Sequence, residues 1–170
     1  MLEIVGVDKT FNKGTVNEAT LFENFSMNVK TGDFISIVGS NGSGKTTLLN
    51  IIGGSVSIDA GKIILDGQDI TKLQEYKRAR KIGRVFQDPS LGTVPGMTIL
   101  ENLSLAANKG QKYGLGFALD RKKTQEYKEL LSTLGLGLEN KTEVQVGLLS
   151  GGQRQALSLL MSTMTPIDLL

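Results

Sequence analysis

The chain has 170 residues, 39% of them hydrophobic and 21% charged, with no cysteine and no histidine. That is enough apolar sequence for the core of one domain, and the two absences exclude a disulfide scaffold, thiolate metal sites, a cysteine nucleophile and an imidazole base. Nineteen basic against 17 acidic residues leave a net charge of +2, which gives no electrostatic reason to expect nucleic acid.

No stretch approaches the ~18 continuous apolar residues of a membrane span. Glu3, Asp8 and Lys9 stand where a signal peptide needs an apolar run, so the chain is expected in the cytoplasm. Strands are predicted from Leu2 to Val7 and, by loose alternation, from Leu21 to Val29. The turn Thr31-Gly32-Asp33 introduces a third, β-rich run through Phe34, Ile35, Ile37 and Val38. It ends at Gly39 in a glycine-rich loop, after which Thr46 to Ile52 reads as a helix closed by Gly53-Gly54. Lys62 to Leu65 reads as a strand entering a tight Asp66-Gly67 turn, and Ile82 to Phe86 as a further strand.

The middle of the chain is helical in pattern. Thr98 to Glu101 has the spacing of a capping box, and Ile99, Leu100, Leu103, Ala106 and Ala107 follow helical spacing. A glycine-rich link from Gly110 to Gly116 leads to a second helix. There Tyr127, Leu130, Leu131 and Leu134 fall at i, i+3, i+4 and i+7, and Leu134-Gly135-Leu136-Gly137 ends it. Residues 89–148 therefore read as a helical insertion in an α/β chain.

Gly39-Ser40-Asn41-Gly42-Ser43-Gly44-Lys45-Thr46 matches G-x-x-x-x-G-K-[ST] at every fixed position. Glycines let the backbone turn through positive φ and approach a phosphate closely. Successive N–H groups then form an anion nest, continued by the free amides of a helix N-terminus. Lys45 adds a full charge toward the β- and γ-phosphates, and the Thr46 hydroxyl suits Mg²⁺. A strand before the loop and a helix after it is the context this motif requires. A second constellation, Leu149-Ser150-Gly151-Gly152-Gln153 followed by Arg154, Gln155 and the apolar Ala156 to Met161, reads as another glycine turn opening a helix. It serves either as a plain cap or as a second phosphate-facing N-terminus.

In this order, the phosphate loop, Gln87 within Val85-Phe86-Gln87-Asp88-Pro89, and LSGGQRQ resemble the nucleotide-binding subunit of an ATP-binding-cassette (ABC) transporter. The resemblance covers essentially the whole chain, including Asp59 to Ile63 and Leu65-Asp66-Gly67. It implies an α/β phosphate-loop NTPase core with a mixed, largely parallel sheet flanked by helices, an N-terminal antiparallel part and a helical subdomain. The expected division is a single incomplete ATP-binding domain, with residues 1–88 and 149–170 as core and 89–148 as the helical part. Gly39 to Thr47 would wrap the triphosphate of MgATP, with Ser40, Asn41, Gly42, Ser43, Gly44, Lys45 and Thr46 within that loop. Thr46 and Gln87 would serve the metal, and Gln87 the metal or the attacking water. Ser150, Gly151 and Gly152, flanked by Leu149 and Gln153, would face the γ-phosphate held by a partner cassette. Phe11 stands where the family puts an aromatic ring against adenine; a core role is the alternative. Arg154 and Gln155 would be surface or interface residues of the signature helix.

The family continues with an apolar strand ending in Asp-Glu, a loop for dimer contact and a switch histidine. The chain stops at Pro166-Ile167-Asp168-Leu169-Leu170, which resembles the opening of that strand, and Asp168 comes too early to be the magnesium carboxylate. A truncated cassette is expected, with a naturally short protein as the alternative. The intact protein would be an ATP hydrolase acting as a head-to-tail dimer on a separate transmembrane permease, with a solute-binding protein, at the inner face of the cell membrane. The 170-residue chain alone would be inactive for want of the catalytic glutamate and switch histidine. A non-transport relative acting on the ribosome or DNA is the second reading. A simple phosphate-loop kinase leaves LSGGQ unexplained.

Overall fold

Strand β1 (Leu2–Phe11) lies between β2 (Ala19–Val29) and β3 (Ala60–Leu65), and β3 turns into the short β4 (Gln68–Asp69). The sheet order is β2-β1-β3-β4, and every pairing is antiparallel. The computed structural model describes residues 1–110 and 121–170. The part of the expected glycine-rich link that follows Gly110 lies outside the described residues. The latter form two compact units, Met1–Ala79 and Arg80–Leu170.

In the first unit, Leu2 and Ile4 of β1 point into the core, and after a register shift Val7 and Lys9 do so. The shift is a bulge in which Gly6, at φ +56°, and Val7 together face one residue of β3, Gly61, which adopts φ +93°. A side chain there would begin 2.4 Å from the Gly6 carbonyl oxygen, so only glycine lets β3 approach β1 this closely. The resulting bulge moves the buried set from even to odd positions. The predicted Asp66-Gly67 turn forms, with φ of 47° and 75° at its two central residues, the left-handed pair that a tight hairpin needs. Helix α1 (Lys45–Gly53) buries Leu48, Ile51 and Ile52 and ends on Gly54 in the left-handed conformation. Its last carbonyls are closed by Arg78, at the end of the single-turn α2 (Glu75–Arg78). The buried guanidinium donates to Ile51 O at 2.7 Å, Ile52 O at 2.9 Å, Thr71 O at 2.8 Å and Leu73 O at 2.9 Å. A cation at a helix C-terminus is also favoured by the helix dipole.

Two expected strands do not form as ladders. Phe34 to Val38 pairs with nothing among the described residues and leaves Phe34 100% and Val38 86% exposed. A strand has no internal hydrogen bonds, so strong β propensity without a neighbour gives extended, solvated chain. Ile82 to Phe86 contributes one parallel bridge, Ile82 to Leu169, which is the parallel pairing present among the described residues.

Among the described residues, the second unit is built on three α-helices. In α3 (Ile99–Ala107) the expected capping box is complete. Thr98 Oγ1 accepts from Glu101 N at 3.2 Å, and Glu101 Oε2 accepts from Thr98 N at 2.7 Å. Helix α4 (Arg121–Ser132) and helix α5 (Gly151–Thr163) complete the set. Ile99, Leu100, Leu103, Tyr127, Leu131, Leu138, Val146, Leu149 and Leu157 form one apolar core. Helix α5 packs into this core through Leu157, and Leu149, just ahead of the helix, joins it.

Candidate functional site

The phosphate loop lies in the first unit. Gly44 is the N-cap of α1 and adopts φ 89°, and no side chain caps the helix. In an α-helix the first amides have no partner within the helix. In α3 and α5, Thr98 and Ser150 bond back to the opening turn; in α1 no side chain competes for it. Gly42 is also left-handed, at φ 83°. A side chain at Gly39 would begin 2.7 Å from Ser43 Oγ, so the loop closes tightly on itself here. Lys45 reaches back over the loop and donates to Gly39 O at 2.8 Å and to Ser40 O at 2.7 Å. Carbonyl oxygens are weak partners for an ammonium, and an incoming phosphate would be a stronger one. Asn41 and Thr46 are exposed, and Thr47 is half-buried.

Phe11 ends β1, opposite Ala19, and is 36% exposed, so its ring lies outside the core. The Lys9 ammonium sits 5.0 Å from the ring centre. Sequence reasoning missed Lys9 as a neighbour of this ring. The signal was there, because residues two apart on a strand share a face.

Gln87 and the signature segment lie in the second unit. Gln87 is exposed, in irregular backbone. Next to it, Asp88 caps the turn Pro89–Gly92 by accepting from Ser90 N at 2.9 Å. The Ser90 hydroxyl and amide hold the Asp88 carboxyl below the ordinary aspartate range, with a smaller contribution from the Arg154 cation. A side chain at Gly92 would begin 2.4 Å from Ser158 Oγ of α5. The chain after Gln87 is therefore packed tightly on the signature helix. Arg154 donates to Gly147 O at 3.0 Å and to Leu149 O at 3.3 Å, which anchors the turn ahead of Ser150.

Ser150 does cap α5. Its Oγ accepts from Gln153 N at 3.4 Å, and Gln153 Oε1 accepts from Ser150 N at 3.3 Å. Leu149 is buried. Gly151 and Gly152 are exposed, with open space where a Cβ would stand. The segment thus presents a bare glycine backbone on a fixed helix start. Among the described residues no cluster of three His, Cys, Asp or Glu side chains offers a metal site. In the first unit the exposed Thr46 hydroxyl, and in the second the exposed Gln87 amide, are each a neutral oxygen donor, a type that suits a hard cation carrying phosphate.

A sequence model of the family described as ABC transporter matches residues 22–170. The chain belongs to the ABC transporter family. A tyrosine transport ATP-binding protein of Clostridioides difficile (strain R20291) is 50% identical over 164 residues, covering 96% of this ABC chain and 65% of the relative. The ABC transporter ATP-binding protein YtrE of Bacillus subtilis (strain 168) is 34% identical over 167 residues, covering 94% of this chain and 68% of the relative. The chain thus spans about two thirds of the length of these relatives. Among solved structures, a post-hydrolysis dimer of an ATP-binding cassette bound to ADP and Pi superposes with a TM-score of 0.80 at 29% identity. That match covers 98% of this chain and 71% of the cassette. The phosphate-loop NTPase class expected from the sequence is borne out by this shared fold, as is the ABC resemblance itself. Among the described residues no helix is long and apolar enough to cross a membrane.

Proposed function

We propose that this chain is the ATP-binding part of an ABC transporter, and that it binds MgATP through Gly39 to Thr47. The observation that carries the reading is the opening turn of α1. It starts on a left-handed glycine, has no capping side chain, and has Lys45 folded over the adjoining loop. Backbone amides would take the phosphate oxygens, Lys45 would exchange two carbonyls for phosphate, and Phe11 would stack on adenine. Thr46 and Gln87 are the residues assigned to Mg²⁺, which supplies charge neutralisation to the phosphates when bound.

ATP hydrolysis in the intact protein would occur between two cassettes closed head to tail, each presenting Ser150, Gly151 and Gly152 to the other's nucleotide. The pair would act on a membrane-spanning permease from the cytoplasmic side, with a solute-binding protein as a further partner. The Clostridioides relative makes an amino acid a candidate cargo class for the whole assembly. The 170-residue polypeptide by itself should hold a triphosphate and turn it over far more slowly than such an assembly. Its Gln87 amide cannot take a proton from water, and none of its 17 acidic residues forms an Asp-Glu pair.

Titration calorimetry with MgATP on the parent and on Lys45→Ala tests the binding reading. A charged hydrogen bond is worth roughly 1.5–3 kcal/mol, so the variant should bind about ten- to a hundredfold more weakly. Equal affinities would refute the assignment. Ser150→Arg separates the second role. It should leave nucleotide binding by the single chain unchanged and abolish ATP-driven dimerisation of a version extended to the length of the relatives. Loss of binding by the single chain would contradict action on a partner's nucleotide.

A further inference from the structure

Beyond the bulge at Gly61, Val7, Lys9 and Phe11 share one face of β1. Lys9 is an unusual residue for its position, because its side chain is only 11% exposed and lysines are almost never buried unless paired. Its partners account for this. The ammonium lies 3.6 Å from Asp59 Oδ1 on one side and 5.0 Å from the centre of the Phe11 ring on the other. Asp59 is itself fixed to the same strand. Its second carboxylate oxygen accepts from Thr10 N at 2.7 Å, and its amide donates to Asp8 O at 2.9 Å. The Thr10 amide is the main cause holding the Asp59 carboxyl below the ordinary aspartate range, and Lys9 adds to it. A backbone-anchored carboxylate thus holds an ammonium, and the ammonium covers a half-exposed ring.

We propose that Lys9, held in place by Asp59, is a positioning residue that presents Phe11 to a purine base. This rests on the reading of Phe11 as the adenine platform. A half-exposed phenyl ring at a strand end can turn about its last torsion. A cation against one face fixes the plane of the ring and draws on its negative π-cloud. The opposite face then meets the π-surface of a base with less mutual repulsion. The arrangement favours the larger purine over a pyrimidine, and it does nothing for the phosphates. That last point separates positioning from a plain staple between β1 and the chain entering β3.

The test compares ATP, CTP and inorganic tripolyphosphate by calorimetry on Lys9→Met, Lys9→Arg, Asp59→Asn and Phe11→Ala. Lys9→Met keeps the apolar stem and removes the charge. It should weaken ATP by about two- to fivefold, the range of a cation–π contact, and leave tripolyphosphate unchanged. Lys9→Arg should restore ATP binding and the preference for ATP over CTP. Asp59→Asn keeps an acceptor for Thr10 N and should shift ATP in the same direction as Lys9→Met. In a Phe11→Ala background, Lys9→Met should have no further effect. If Phe11→Ala weakens ATP but Lys9→Met does not, the platform stands and the role of Lys9 is refuted. An unchanged ATP affinity in Phe11→Ala removes the platform, and the Lys9 proposal with it. Equal losses for ATP and tripolyphosphate in Lys9→Met would show damage to the fold or a direct charge effect, and would also overturn the proposal.

Discussion

Asn102 is the clearest single residue holding the loop ahead of α3. It is fully buried, yet its amide is well satisfied. Oδ1 accepts from Val94 N at 2.8 Å, while Nδ2 donates to Thr98 O at 2.9 Å and to Val94 O at 3.1 Å. Asn102→Leu would fill a similar volume but strand the Val94 N donor, while Thr98 O and Val94 O keep the backbone donors Asn102 N and Met97 N. One buried unsatisfied donor costs about 1–3 kcal/mol, and a loss of that size is expected. Urea unfolding with an unchanged slope would measure it, and a loss within experimental scatter of zero would show that the loop finds other partners. Arg78 makes the same argument in the first unit, with a charged group. Burial pulls its guanidinium pKa down from the ordinary value, with Asp69 opposing. Four backbone carbonyls are its reason for staying inside. Arg78→Lys should therefore not rescue what Arg78→Met loses, because an ammonium lacks the planar fork that reaches both Ile51 O and Thr71 O. Thermal melts of the two variants should coincide within a few degrees, both below the parent.

Among the described residues two helix starts are closed by capping boxes, and the one at α3 predicts a pH dependence. The Thr98 amide, then the Thr98 hydroxyl, holds the Glu101 carboxyl below the ordinary glutamate range. A carboxyl with a depressed folded-state pKa contributes stability above its unfolded value of ~4.3 and loses it as pH falls through the folded value. Acid titration of stability should therefore show a loss below about pH 4.3 that Glu101→Gln lacks. Thr98→Ala should cost about 1 kcal/mol at neutral pH, the usual worth of an N-cap. Flat behaviour in both measurements would mean that the box is not formed in solution. Such local devices are what the sequence made legible. The S/T-x-x-E spacing at Thr98, the Asp66-Gly67 turn and the i, i+3, i+4 stripe through Tyr127 and Leu131 are each set by residues a few positions apart. The candidate site was legible for the same reason, since the phosphate loop and LSGGQ are contiguous. Phe34 to Val38 has the composition of a strand, but a strand exists only with a neighbour, and composition does not supply one. Arg78, Asn102 and the pairing of Asp59 with Lys9 were not legible either. Arg78 bonds to carbonyls 26 and 27 residues away, Lys9 to a carboxylate supplied from beyond α1, and Asn102 to a loop whose path no pattern fixes.

At the scale of the whole polypeptide, the run from Phe34 to Val38 governs solution behaviour. Phe34, Ile35, Ile37 and Val38 are all exposed, and among the described residues no strand pairs with them. The run contains no charge and no proline, the residues by which proteins blunt an open strand. Short uncharged segments of high β propensity are the ones that pair between chains. The core of the second unit lies elsewhere, around Leu103 and Leu131, so altering this run should leave it intact. The 170-residue chain should therefore self-associate with rising concentration and bind a hydrophobic dye such as ANS in its folded state. Replacing Phe34 and Val38 together by lysine should reduce both effects, because two charges added to each copy oppose stacking and the two most exposed apolar side chains of the run are removed. Sedimentation velocity across a concentration series, read beside ANS fluorescence, makes the comparison. The melting temperature should change little, since the exposed side chains contribute little packing to lose. If the double variant aggregates as readily as the parent, association must start elsewhere, with the exposed Leu91 and Leu148 of the second unit the next residues to replace. If it melts far below the parent, Phe34 and Val38 are packed in solution, and the run is a formed strand after all.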